Sequence, residues 1–195
     1  MPRRRLALAA ALLSGLMACS AMAQERTIRI LSGASAGGSS DFATRVLAEA
    51  LGPILGVRAV VENRTGVNGI VAAQETARSA PDGSTMFVCP MSTMSITPQL
   101  IGANLPIDPG AELLPIANVA LSSYGFVVAA NGPYRSVQDV LEAARSRPGQ
   151  VSFASAGVGS AQHLQGELLK QKTGLEMVHV PYRGASPAIV DILVH

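Results

Sequence analysis

The spacing of apolar residues along the chain switches repeatedly between strand-like and helix-like runs. Residues 26–31 (RTIRIL) are rich in β-branched side chains and predict a strand, followed by a small-residue loop over 32–40. Phe42, Ala43, Val46, Leu47, Ala50 and Leu51 then recur at helical spacing. Ser39 or Ser40 is the expected cap, Asp41 sits favourably in the first turn, and Gly52-Pro53 is the expected stop. Residues 57–62 predict a second strand, 63–69 a Gly/Asn loop, 70–78 a second helix, and Pro81-Asp82-Gly83 a turn. A third strand is expected over 85–89, then a polar loop over 90–95 and a short helix near 98–101. Strands alternating with helices in this way predict an α/β layered domain with a mainly parallel sheet.

The segment 104–114 is rich in Pro, Gly and Asp and is expected to be irregular. Residues 116–121 and 125–130 read as strands, and the polar break Ser122-Ser123-Tyr124 between them is a candidate hinge into a second α/β unit. There Ser136 can cap a helix over 137–146, with Asp139 as its capping-box partner. Pro148-Gly149 turns the chain into a strand over 151–154, and a second Gly/Ser loop over 155–160 opens a helix over 161–173 with Gly174 as its stop. Another strand is expected over 176–180, and Ser186-Pro187 starts a last helix. That helix still presents Ile189, Ile192 and Leu193 when the sequence reaches His195, so the second unit reads as incomplete and the chain as truncated. The layout expected is a leader over 1–23, a first lobe over 24–122 and a second over 123–195.

The leader changes the charge picture. Arg3, Arg4 and Arg5 precede a short apolar run over 6–18, and Ala21-Met22-Ala23 offers a small-x-small cleavage site, the three parts of a signal peptide. Leu16-Met17-Ala18-Cys19 offers a second processing route, lipidation at Cys19; either route places the protein outside the cytoplasm, in the periplasm. Without the three arginines, Lys and Arg fall from 15 to 12 against 13 acidic residues, so the formal charge of +2 becomes slightly negative. No basic patch remains to argue for nucleic acid. The absence of Trp and an aromatic content of 4% argue against stacking platforms for sugars or bases. Cys89 reads as a structural thiol.

Two loops carry the candidate chemistry. Gly37-Gly38-Ser39-Ser40 and Gly157-Val158-Gly159-Ser160 each lie where a strand gives way to a helix. A helix N-terminus leaves backbone N–H groups unpaired and carries partial positive charge, so it holds an anion without a basic side chain. Glycine admits close approach to the backbone and serine adds neutral hydrogen bonds. Either loop alone could be a tight turn; two of them suggest a cleft that grips a carboxylate from both sides. A rival enzyme reading exists in Gly33-Ala34-Ser35-Ala36-Gly37, a literal G-x-S-x-G, with Ser35 as nucleophile and Asp139 with His163 or His179 completing a triad. It would place the elbow on the first strand with no upstream oxyanion loop. No cofactor is indicated: Gly157-Val158-Gly159 lacks the third glycine of a dinucleotide fingerprint, and the three histidines have no zinc spacing.

From Arg26 to Leu193 the sequence resembles the periplasmic binding receptors of tripartite tricarboxylate transporters, the Bug family. The motifs are Gly37-Gly38-Ser39-Ser40-Asp41, Val60-Val61-Glu62-Asn63-Arg64 with Gly66 and Asn68-Gly69, and Ala80-Pro81-Asp82-Gly83. They continue as Ser152-Phe153-Ala154-Ser155-Ala156-Gly157, His163-Leu164, Gly166-Glu167-Leu168 and Val178-His179-Val180-Pro181-Tyr182-Arg183-Gly184. The resemblance implies a two-lobed type II periplasmic-binding fold that is not an enzyme and needs no metal. It implies a monomer that holds a small organic acid between its lobes and passes it to the membrane subunits of a transporter. Carried over residue by residue, the ligand loops are Gly37, Gly38, Ser39, Ser40 and Asp41, then Ser155, Ala156, Gly157, Gly159 and Ser160, with Ser92 and Thr93 completing the pocket. Asp41 is expected to support the helix start rather than to touch an anion. The family's prolines before the first Gly-Gly are replaced here by Ser32-Gly33-Ala34-Ser35-Ala36, which implies a less rigid loop, and the family's return of the chain to the first lobe lies beyond His195. A liganded receptor that signals to a sensor is the remaining reading.

Overall fold

The computed structural model describes residues 26–194; the leader, with Cys19 and the cleavage site, lies outside them. Strand β1 (Thr27–Ser32) is the centre of a three-stranded parallel sheet, flanked by β2 (Arg58–Asn63) and β3 (Thr85–Val88) in the order β2-β1-β3. The central position explains its composition: Ile28, Ile30, Leu31 and Ser32 are all buried, the near-continuous burial of a parallel strand covered on both faces. Ile28 and Ile30 form one cluster with Ala48 of helix α1 (Ser39–Leu55), and Leu51, Val61, Met86 and Val88 pack around it.

Helix α1 starts earlier and ends later than the apolar pattern predicts. Gly38 occupies its N-cap position with no side-chain cap, so Ser39 and Ser40 are its first residues and not its caps. Its end also corrects the expected stop at Gly52-Pro53. Proline removes one N–H, which near the C-terminus costs a single bond, and the helix runs on until Gly56 turns left-handed at φ 61°. A short 3-10 turn (Val67–Gly69) leads into α2 (Ile70–Ala77).

Of residues 90–95, expected as a polar loop, all but the N-cap Pro90 belong to helix α3 (Met91–Ile101), so Ser92 and Thr93 stand on a helix. The Ser/Thr-rich pattern misleads because these hydroxyls bond back into their own helix. Ser95 donates to Met91 O at 3.0 Å and Thr97 to Ser92 O at 3.2 Å. A one-turn helix α4 (Pro109–Glu112), capped by Asp108, interrupts the segment expected to be irregular.

The strands expected over 116–121 and 125–130 do not form. Both stretches lack regular secondary structure and pair with no other strand among the described residues, and Leu121 is 98% exposed. Alternating apolar residues mark a segment able to pair; a strand exists only with a neighbour to receive its backbone bonds. Beyond them, α5 (Val137–Ser146) carries the predicted capping box between Ser136 and Asp139. Strands β4 (Ser152–Ser155) and β5 (Val178–Pro181) form a second parallel pair. Between them lies α6 (Ala161–Thr173), capped by Ser160 and closed by left-handed Gly174, and α7 (Ala185–Val194) follows. Val140, Ala144, Val151, Leu175 and Met177 make a separate apolar cluster under this unit. The architecture is α/β with two parallel sheets, each with its own core.

Candidate functional site

Both Gly/Ser loops lie at the C-terminal ends of parallel strands, where an open α/β sheet places its ligand. In the first, Asp41 is 3% exposed and anchors the turn. Its Oδ2 accepts from the Gly37 amide at 2.9 Å and from Arg45 Nε at 3.0 Å, and its Oδ1 accepts from Asn63 Nδ2 at 2.8 Å. Burial works against the charge, but the bonds from Arg45, Gly37 and Asn63 outweigh it and hold the carboxyl below its usual range. Asp41 therefore shapes the loop, with both carboxylate oxygens engaged by Gly37, Arg45 and Asn63. The amides of Gly37 and Gly38 are occupied inside the loop, the latter by Ser35 O at 3.1 Å. The first-turn N–H groups of Ser39 and Ser40 are the ones that helix geometry leaves without an intrahelical acceptor.

In the second loop Ser155 is 2% and Ser160 1% exposed. Ser155 Oγ accepts from the Gly157 amide at 3.1 Å and lies 2.6 Å from His179 Nε2. Ser160 accepts from the His163 amide at 3.2 Å, and its own amide donates to Gly157 O at 3.1 Å. As in the first loop, most of the named amides set the loop's shape, and the first turn of α6 after Ser160 supplies the helix-end donors. Gly157 and Gly159 adopt φ of 128° and 83°, and a Cβ on Gly159 would meet Thr97 Oγ1 at 2.9 Å.

The two loops meet. Ser186 Oγ donates to Ala36 O at 3.1 Å and lies 3.4 Å from Ser35 Oγ. Asn68 Nδ2 reaches Gly159 O, Ser92 Oγ and Thr97 Oγ1, each at 3.0 Å. Thr93, fully buried, donates to Asn68 O at 2.7 Å. Ser92 and Thr93 thus hold Asn68, and Asn68 touches the second loop. Asn68 was quoted in a motif but missed as a site residue. The signal was there: Asn-Gly between a strand and a helix favours left-handed backbone, and Asn68 has φ 50°. Its loop is fixed by a charge network in which Arg29 and Arg64 both bond Glu62 and Glu75 at 2.6 to 3.0 Å. The bond from Arg29 is the main cause holding both glutamates below their usual range.

The triad of the hydrolase reading does not assemble. The Ser35 hydroxyl faces Ser186, Asp139 is engaged in the α5 capping box, and both histidines lie at Ser155. Ser155 in turn is too buried to attack a substrate. Cys89 is half-buried, and burial pushes its thiol up to about 11, away from the reactive thiolate.

The family model described as the tripartite tricarboxylate transporter family receptor matches residues 43–195. A relative from Cupriavidus necator, the UPF0065 protein in the gbd 5′ region, is 37% identical over 92% of this chain and 55% of its own. A solved structure of a periplasmic transporter is 34% identical with a TM-score of 0.76, covering 88% of this chain and 57% of that one. The R. palustris protein Rpa4515, solved with adipate, is 27% identical with a TM-score of 0.75 over 87% of this chain and 56% of its own. The chain spans about half the length of the curated relatives it matches. Its parallel-sheet units share the fold of periplasmic binding proteins, and by the match over most of its length it belongs to the tripartite tricarboxylate transporter receptor family.

Proposed function

We propose that this protein is an exported, periplasmic solute receptor that captures a small organic acid and presents it to the membrane subunits of a tripartite tricarboxylate transporter. The observation that carries the reading is that the Gly/Ser loops at the N-terminal ends of α1 and α6 both lie on the seam between the units, the first bonded to Ser186 of α7 and the second to Asn68. Such ends attract a carboxylate through oriented N–H groups and the helix dipole. The relative solved with adipate supports a dicarboxylate as the ligand class. Residues 24–122 and 123–195 would act as the two lobes, in a monomer without metal or cofactor.

The test is thermal-shift and calorimetric titration with adipate, succinate, citrate, glutamate and benzoate. Stabilisation that grows with acid concentration is expected for at least one of them. Ser39→Asp separates binding from folding: an acid in the first turn favours α1, while its charge repels a bound anion. The variant should melt no lower than the parent and bind the acid at least ten-fold more weakly. Undiminished affinity in that variant would remove the first loop from the site, and no response to any acid would end the reading.

A further inference from the structure

The second loop is held at both ends by a stack of aromatic rings. His179 of β5 is half-buried between Phe153, with ring centroids 5.0 Å apart, and His163 of α6, at 4.0 Å and 21° between planes. His179 Nε2 is 2.6 Å from Ser155 Oγ at the start of the loop, and His163 Nδ1 accepts from the Gly159 amide at 3.4 Å near its end. A backbone N–H can only donate, so His163 must be unprotonated at Nδ1. The Ser155 hydroxyl has a second acceptor within reach, Gly157 O at 3.2 Å, but the much shorter contact is to the imidazole. With the His179 tautomer that leaves Nε2 bare, Ser155 donates to His179 and keeps its oxygen for the Gly157 amide, and this is the arrangement we assign. Both rings therefore serve as acceptors.

We propose that His163 and His179 are positioning residues that clamp residues 155–160 in the form that receives the organic acid, and that a proton on His163 frees the Gly159 amide while one on His179 reverses its bond with Ser155 and turns that hydroxyl to Gly157 O, either change weakening capture. The proposal rests on the function above and adds its pH dependence. Two imidazolium rings stacked this closely would repel, so His163 opposes proton uptake by His179. The remaining charges near His179 are Glu167 and Lys170 of α6, which pair with each other at 3.0 Å. Strand β4 contributes only Phe153 and Ser155, and Asp191 of α7 accepts from Tyr182. Burial, and then the neighbouring His163, keep the His179 ring neutral to lower pH than an exposed histidine.

The experiment follows the imidazole nitrogens and the Gly157 and Gly159 amides by NMR from pH 8 to pH 5, alongside adipate affinity. The variants are His163→Asn with His179→Gln, which keep an acceptor at each ring position but cannot titrate, and His179→Phe, which keeps the stack without the acceptor. In the parent, His163 should carry its proton on Nε2 and His179 on Nδ1, and both glycine amides should move as the rings titrate. Adipate should bind roughly ten-fold more weakly at the acid end. The Asn/Gln pair should bind at neutral pH within a few-fold of the parent and lose that difference, which also removes any effect of adipate's own protonation. His179→Phe should bind weakly at every pH. Glycine amides that ignore the rings, or adipate binding that tightens on acidification in the parent alone, would overturn the clamp. If adipate binds at no pH the functional reading fails for that acid, and the amide titration still decides the clamp.

Discussion

Asn68 places one amide group against three acceptors at 3.0 Å, one of them the carbonyl of Gly159 in the other unit. Two hydrogens serve three oxygens, so the group is shared, and its loss frees acceptors on both sides of the seam. Asn68→Asp keeps a residue that tolerates left-handed backbone but replaces the donor with a carboxylate beside Gly159 O. The change should weaken the contact between units by about 1–3 kcal/mol. Small-angle scattering should record a wider molecule, with a smaller widening for Asn68→Ala; an unchanged scattering profile in both would show that Asn68 does not join the units. Gly184 is a further constraint at the seam, since a Cβ there would overlap the Ser35 side chain.

At the scale of elements, local chemistry marked the ends of α5 and α6 but misplaced those of α1, where Ser39, Ser40 and Gly52-Pro53 lie inside the helix. Ser136 with Asp139, the stop at Gly174, and the Gly/Ser loops between strand and helix were read from residue type and spacing, and Ser136 does accept from the Asp139 amide at 3.2 Å. Ser136→Ala should cost about 1 kcal/mol, measured by urea unfolding, with no effect on the ligand loops. Ile30, fully buried in the central strand, sets the other end of the scale: Ile30→Ala should cost about 2–5 kcal/mol in the same experiment. What could not be read depends on contacts distant in sequence. The pattern over 116–130 names apolar residues but not the strand that would pair with them. The Ser/Thr run of α3 looks like a loop until Thr93 and Thr97 are seen buried against Asn68. The pairing of His179 with Ser155 depends on the register that sets Phe153 opposite His179, which no spacing rule supplies.

For the whole molecule, several groups make stability fall with acid, in two stages. His179 is held neutral in the fold, by burial first, whereas the unfolded chain takes up its proton near the ordinary histidine value of 6.5. The unfolded state therefore binds more protons as pH drops below that value, and stability declines. Asp41, Glu62 and Glu75 are all held ionised below their usual range, so their contribution is complete above the unfolded carboxyl values and disappears as pH falls through the folded ones. Melting temperature followed from pH 8 to pH 3 should show a shallow first decline and a steeper second one. His179→Gln should flatten the first alone; a flat parent curve between pH 7 and pH 5 would refute the histidine contribution.

The seam between the units consists of hydroxyls, one carboxamide and glycine backbone, while each unit keeps its oily residues beneath its own sheet. Three or so neutral polar contacts amount to only about 2–4 kcal/mol in water, too little to lock the halves and enough to favour their meeting. A joint this weak would let the halves part and rejoin without either one melting, which is what the proposed capture and release of an acid requires.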